Sequence, residues 1–283
     1  SIVRDIRLPR ILLTVLVGAG LAAAGAAFQG LFRNPLADPF FIGASGGASL
    51  GATLAIITGL NGGFLGFGPV PLAAFIGTII AVVFVYSIAQ TSGNASIMAL
   101  LLAGASLSTV LTSMVSLIML VQDSDMHEIF AWIMGGFGGR SWSHLLSSTP
   151  YILIGLIFLW LLSRPLDALS CGEETAQTFG LPLRRARGAV IMAASLITAA
   201  AVAAGGIIGF VGLIAPHIAR MIFGAAHHRL IPASALTGAL LLVVADDLAR
   251  TVIAPMEIPV GIVTSLLGGT FFLYLLKSMQ KEL

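Results

Sequence analysis

Of the 283 residues, 58% are hydrophobic and only 9% are charged, with a formal net charge of +2; soluble domains carry about 25% charged residues. Even large soluble domains leave roughly a quarter of the unfolded chain's surface in water, so this composition excludes a soluble globule and makes lipid the solvent. The basic residues are too few and too scattered for a nucleic-acid surface, and a single cysteine excludes an internal disulfide and a thiolate-cluster metal site.

Runs of about 20 apolar residues mark membrane-crossing helices. In chain order they fall at 8–32, 42–60, 70–90, 97–121, 144–163, 186–206, 207–224, 229–250 and 258–277. The seventh is short and holds Pro216, which predicts an interrupted crossing. Between the fourth and fifth, residues 125–134 are too short and polar to span; they read as an interfacial helix followed by the flexible GGFGG at 135–139. Gly47-x-x-x-Gly51 and Gly205-x-x-x-Gly209 have the spacing that lets helix backbones approach closely in lipid. No internal repeat and no soluble domain is visible. The reading is an all-α, polytopic membrane helix bundle forming one domain over 1–283.

Alternate helix ends share a side of the membrane. Arg33, Arg164, Arg184, Arg185, Arg187, Arg220, Arg229, Lys277 and Lys281 fall on one side, and Arg4, Arg7, Arg10, Arg140 and Arg250 on the other. The positive-inside bias makes the first side cytoplasmic. Three arginines at the outer start of the first helix run against that bias. On the cytoplasmic side, CGEETAQTFGLPLRRAR at 171–187 is the most charged stretch of the chain. Glu174, Ala176 and Gly180 within it fit E-x-A-x-x-x-G, a short helix stopped at a glycine and kept from continuing by Leu181-Pro182. Pattern alone fits a knob for a soluble partner or an amphipathic connector.

Enzyme readings find little. The lysines are Lys277 and Lys281, and LYLLKS lacks the glycine turn of a P-loop. The five histidines make no HExxH pair. Asp246 and Asp247 are intramembrane carboxylates, a usual mark of function. Arg250, four and three residues on, is placed to pair with them; the competing reading is a proton relay.

Longer motifs carry a resemblance. RLPR at 7–10, QGLFRNPLADP at 29–39, GASGGASLG at 43–51, LLLAG at 100–104, MGGFGG at 134–139, EETAQTFGLP at 173–182, GFVGLIAPHIAR at 209–220 and IPVGIVTSLLGG at 258–269 occur in order along nearly the whole chain. The sequence resembles the permease subunits of iron-chelate and vitamin B12 (FecCD-type) ABC importers. The resemblance implies the type II ABC importer permease fold, with ten spans in the family where nine are read here, the extra helix preceding RLPR. It implies transport of an iron chelate (siderophore or heme) or a cobalamin-like ligand across the inner membrane. No catalytic residue, cofactor or metal is expected in this chain, ATP and Mg residing on a partner. The implied partners are a second permease copy, two ATP-binding subunits and an extracytoplasmic substrate-binding protein, in lipid and without nucleic acid. The alternative is a proton-coupled secondary transporter using Asp246 and Asp247.

Residue by residue, the resemblance makes Glu173, Glu174, Ala176, Gly180, Leu181 and Pro182 the EAA-type coupling segment that docks on the ATPase. Arg7, Arg10 and Arg250 become receivers of acidic residues on the binding protein; ADDLAR at 245–250 carries Asp247 as an acid additional to the family's pattern. Asn34 and Leu36, with Ser96 and Ile97, become the inner gate, and helix 97–121 lines the central path. His217 and Arg220 match the family as anchors near the cytoplasmic face. Carriers of heme, ferric siderophores, cobalamin and molybdate share these motifs.

Overall fold

The structure is a computed structural model, and it describes residues 2–60, 62–64, 66–90 and 97–279. Helices α1 (Leu8–Phe32), α2 (Ala44–Ile57), α3 (Pro69–Gln90), α4 (Ile97–Val121), α5 (Met126–Ile133) and α6 (Trp142–Leu161) are followed by two short ones, α7 (Ser163–Ser170) and α8 (Glu173–Thr178). The chain continues through α9 (Leu183–Gly205), α10 (Val211–Phe223), α11 (His227–Thr251) and α12 (Val260–Met279). Each of the nine apolar runs is a helix, and the stretch at 125–134 is the short α5. Among the described residues six helices are long and apolar enough to cross a membrane, and Ala44–Ile57, Val211–Phe223 and Val260–Leu273 are shorter apolar helices.

The hub is α1, an Ala- and Gly-rich helix almost wholly buried from Val17 to Phe32. Small side chains let its neighbours reach backbone contact, the usual source of helix association where lipid removes the hydrophobic drive. It runs antiparallel to α11: Arg10 meets Asp246, Gly18 faces Gly238, and Gly30 faces His227, so the two stay in step over their length. A Cβ on Gly18 would overlap the Gly238 carbonyl, and one on Gly25 would overlap the Gly212 carbonyl of α10. A second group, α2, α3 and α4, packs in the same manner, with Gly47 against Gly77 and Gly51 against Ala73.

Two helices begin part-way through the bundle. At 14 residues α2 is about 21 Å long, short of the ~30 Å hydrocarbon core. Its pairing with the middle of α3 places its start at mid-depth, so 33–43 folds back into the bundle. The helix α10 starts beside Leu21 and Gly25 of α1, again at depth. Here the expectation needs correcting. The seventh run is broken at 206–210, ahead of the helix, and Pro216 lies inside α10 without ending it. Proline withdraws the N–H that would bond the carbonyl four residues back. That carbonyl, of Gly212, instead accepts from the Gln29 side-chain amide at 3.3 Å.

Non-helical backbone at depth must be satisfied by protein. In 33–43, Arg33 adopts a left-handed conformation, Ala37 N–H donates to the Asn34 carbonyl at 3.1 Å, and the Asp38 carboxylate accepts from Phe40 N–H at 2.9 Å.

Replacing Gly25 with leucine should therefore cost at least the ~1–3 kcal/mol typical of overpacking. Gly269→Ala, on a helix face where an added Cβ meets nothing within 4 Å, should be neutral or slightly stabilising. Thermal unfolding in detergent compares them; equal loss in both would contradict the packing described.

Candidate functional site

The charged stretch folds as α7, a turn at Cys171-Gly172, α8, and the entry to α9. Glu173 and Glu174 occupy the first turn of α8, where the helix dipole favours anions. The far end closes as a Schellman motif. Gly180 N–H donates to the Gln177 carbonyl at 2.8 Å, and Leu181 N–H reaches back to the Ala176 carbonyl at 3.1 Å. Gly180 supplies the positive φ of 74° this ending requires. Leu181 packs on the core beside the fully buried Ala176.

That burial alters one expectation. The small face of Ala176 points into this chain's own core, so the residue seats α8 on the permease and leaves other groups for a partner. Glu174, Thr175, Gln177, Thr178, Phe179, Gly180 and Pro182 are exposed, and Phe179 is 75% exposed. Glu173 turns back to pair with the buried Arg187 of α9. Arg184 donates to Gln90 at the end of α3 at 2.6 Å. The knob is thus fixed to α9 and α3, and through α7 to α11: the Asp167 carboxylate accepts from the backbone N–H of His227 at 2.9 Å and lies 2.6 Å from its Nδ1. This bond caps the start of α11, where helix N–H groups lack partners of their own.

At the opposite end of the bundle, the three arginines expected to receive a binding protein differ sharply. Arg7 is exposed and makes no ion pair among the described residues. Arg10 is buried, its guanidinium already spanned by two carboxylates. Nη2 and Nε donate to Asp246 at 2.8 and 3.1 Å, and Nη1 donates to Glu257 at 2.9 Å. Arg250 bonds Asp247 at 2.8 Å and stands 3.7 Å from Asp246. So Asp246 pairs chiefly across the bundle with Arg10, not along its own helix as its spacing from Arg250 suggested.

Comparison with known families matches residues 1–278 to the FecCD transport family. This chain belongs to it. It is 42% identical over 279 residues to the cobalamin import system permease of Halobacterium salinarum, covering 99% of this chain and 74% of that protein. It is 40% identical over 280 residues to the hemin transport system permease of Yersinia pestis, covering 98% and 84%. Among solved structures it resembles an inward-facing ABC transporter assigned to the metal-chelate type. That match has a TM-score of 0.88 and 35% identity, and covers 98% of this chain and 87% of that one. The FecCD chain is a multi-pass membrane permease subunit of the ABC-importer kind.

Of the residues expected at the inner gate of this FecCD permease, Asn34 and Leu36 sit on the re-entrant segment and Ile97 begins α4. Asn34 turns its side-chain oxygen to its own backbone, accepting from Leu36 N–H at 2.9 Å, so it shapes the turn. Leu36 is 46% exposed. The Pro39–Ile42 turn packs on α4 at Gly104, two turns past Ile97, which is itself half-buried against the core. Ser96 lies outside the described residues. Along α4, Ser106, Thr109, Thr112, Ser113 and Ser116 are exposed on a helix with few buried residues. Hydroxyls at such spacing suit a wet or protein-facing surface better than lipid.

Three features escaped the sequence reading. Phe179 had a signal, an aromatic at the end of an otherwise polar helix. Glu257 and the Asp167–His227 link had none, because each partner lies far away in the chain. His217 packs its ring against Phe271, and Arg220 donates to Gln29 at 2.9 Å.

Asp246→Asn should destabilise the permease by about 3–5 kcal/mol, because it leaves the buried Arg10 charge under-compensated. Glu257→Gln should cost under ~1 kcal/mol, since that side chain is 49% exposed. Denaturant unfolding in matched detergent gives the order; an equal cost would show that the two acids hold Arg10 alike, and a reversed one that Glu257 is its main anchor.

Proposed function

We propose that this permease works as a pair of identical copies that carry an iron chelate, heme or cobalamin-like ligand inward, fed by an extracytoplasmic binding protein and driven by two separate ATP-binding subunits. The observation that supports this most is the α8 knob. Its inner face is seated on the permease by Ala176 and Leu181, its ends are fixed by Glu173–Arg187 and the Gly180 turn, and its outer face offers Glu174 and the bare ring of Phe179. A rigid, aromatic-bearing projection is what a partner's groove can grip, since exposed aromatics are common anchors of protein interfaces.

Its attachments suit a lever. A push on α8 reaches α9 directly and reaches α11 through Asp167, and α11 lies along α1 for its full length. Substrate-binding-protein docking on the far face uses Arg7 and Arg250, and Arg10 joins only if an incoming acid displaces Glu257. Asn34, Leu36, Ser96 and Ile97 act as the inner gate, below a path lined by the hydroxyl-bearing face of α4.

The proton-coupled alternative is not favoured. It needs an intramembrane carboxylate free of other partners, and Asp246 accepts two hydrogen bonds from the Arg10 guanidinium while Asp247 accepts one from Arg250. The named relatives are a cobalamin import system permease and a hemin transport system permease, and the similar solved structure is an ABC transporter.

Gly180→Val and Phe179→Asp test the reading in vesicles rebuilt with the cognate ATPase and binding protein. Valine is strongly disfavoured at positive φ. Both changes should cut ATP-driven uptake of hemin, ferric siderophore or cobalamin at least tenfold while binding-protein docking outside persists. Wild-type uptake that proceeds without ATP, or normal uptake by both variants, would overturn it.

A further inference from the structure

A cavity of about 370 Å³ opens at the outer end of the bundle, walled by α5, the glycine segment 135–138 and the residues that lead into α12. Arg140 and Trp132 line it. Among the described residues, the arginines that are buried or half-buried elsewhere each hold a side-chain partner: Arg10 with Asp246, Arg187 with Glu173, Arg220 with Gln29, and Arg250 with Asp247. Arg140 has none. Its Nε is sealed from solvent without an acceptor, and the indole Nε1 of Trp132, in the same wall, is likewise buried and unbonded. Burial alone pushes the Arg140 guanidinium below its usual value, and no carboxylate offsets it. Of the two acids at the rim, Glu257 is committed to Arg10, and Glu128 is exposed.

Two residues in the wall of one cavity, each with a buried N–H that has no acceptor, make a costly arrangement, because an unpaired polar group loses its water without recovering a bond. A carboxylate supplies what is missing: two acceptor oxygens and a charge opposite to the guanidinium's. We propose that this cavity receives an aspartate or glutamate side chain of the extracytoplasmic binding protein, with Arg140 as its charge partner and the Trp132 indole as a second donor. The inference rests on the reading of the chain as a binding-protein-dependent permease. A side chain from a docked protein suits the position better than cargo does. The cavity lies among outer loops on the face that carries Arg7 and Arg250, apart from the hydroxyl-bearing length of α4. It also explains how docking gains a strong contact when Arg10 is already neutralised inside the permease.

The test measures the affinity of the cognate binding protein for the permease–ATPase complex in nanodiscs, at 20 and 300 mM NaCl, with wild type, Arg140→Gln, Arg140→Lys and Trp132→Phe. Arg140→Gln should weaken binding at least tenfold at low salt and flatten its salt dependence, since one charge pair is gone. Lysine should recover part of the loss, and Trp132→Phe, which keeps the charge, should weaken binding about threefold with the salt dependence unchanged. A charge swap is the sharper arm: Arg140→Glu should be rescued by reversing one surface acid of the binding protein to arginine. Unchanged affinity in Arg140→Gln, or a loss equal at both salt concentrations, would make Arg140 a strut of the outer loops and overturn the proposal. Failure of the wild-type complex to bind the protein at all would overturn the permease reading itself, and this inference with it.

Discussion

Everything in this bundle depends on close backbone packing around α1. Lipid gives helices no hydrophobic reason to associate, so the contacts that hold them are dispersion and hydrogen bonds made where side chains are small. Gly18 against Gly238 and Gly25 against Gly212 bring α11 and α10 onto α1 at backbone distance. That closeness in turn permits the two breaks. The segment 33–43 and the turn 206–210 can leave the helical conformation at depth only because neighbours enclose them and take up their polar groups. The Gln29 amide on Gly212 is the plainest case, one side chain of the hub supplying the bond that Pro216 withholds.

The same packing makes the permease a body that can transmit a push. The α8 knob is not a loose loop: both its ends are hydrogen-bonded, its inner face is core, and α7 ties it to the first turn of α11 through Asp167 and His227. At the other end of α11, Asp246 grips Arg10 of α1. In the proposed function, a displacement of α8 passes through these contacts and along α11 to the cluster of charges at the far face. The outer clamp is asymmetric. Asp246 is buried and permanent in character, while Glu257 is half in solvent and open to competition by another acid.

Much of this was legible in the sequence because lipid simplifies the code. A run of apolar residues long enough to cross must be a helix, and each of the nine runs holds one, six of them long enough to cross among the described residues. Gly180 followed by Leu181-Pro182 announced the end of α8, since few other residues accept its positive φ. What was not legible is the side of each short helix that faces inward. Ala176 read as a docking face because a six-residue helix has too little periodicity to show which side is core. Arg10 read as free for a similar reason. Its partner Asp246 lies 236 residues away, and the nearby Arg250 offered a local pairing that the fold does not prefer. Pro216 misled in the opposite direction: its cost is real, but a side chain from another helix removes it. Short-range chemistry was readable, and long-range pairing was not.

The central claim is that the 171–187 segment moves with the ATPase and carries that motion into the membrane. Cys171, the sole cysteine of the chain, is exposed at the start of the segment and accepts a spin label without further mutation. Pulsed dipolar spectroscopy of the proposed two-copy assembly, labelled at Cys171 in each permease, reads the distance between the two knobs with and without Mg and a non-hydrolysable ATP analogue. The account requires the distance to shift when nucleotide binds, and to stay fixed in Gly180→Val. An unchanged distance in a wild-type transporter that hydrolyses ATP and takes up ligand would contradict it.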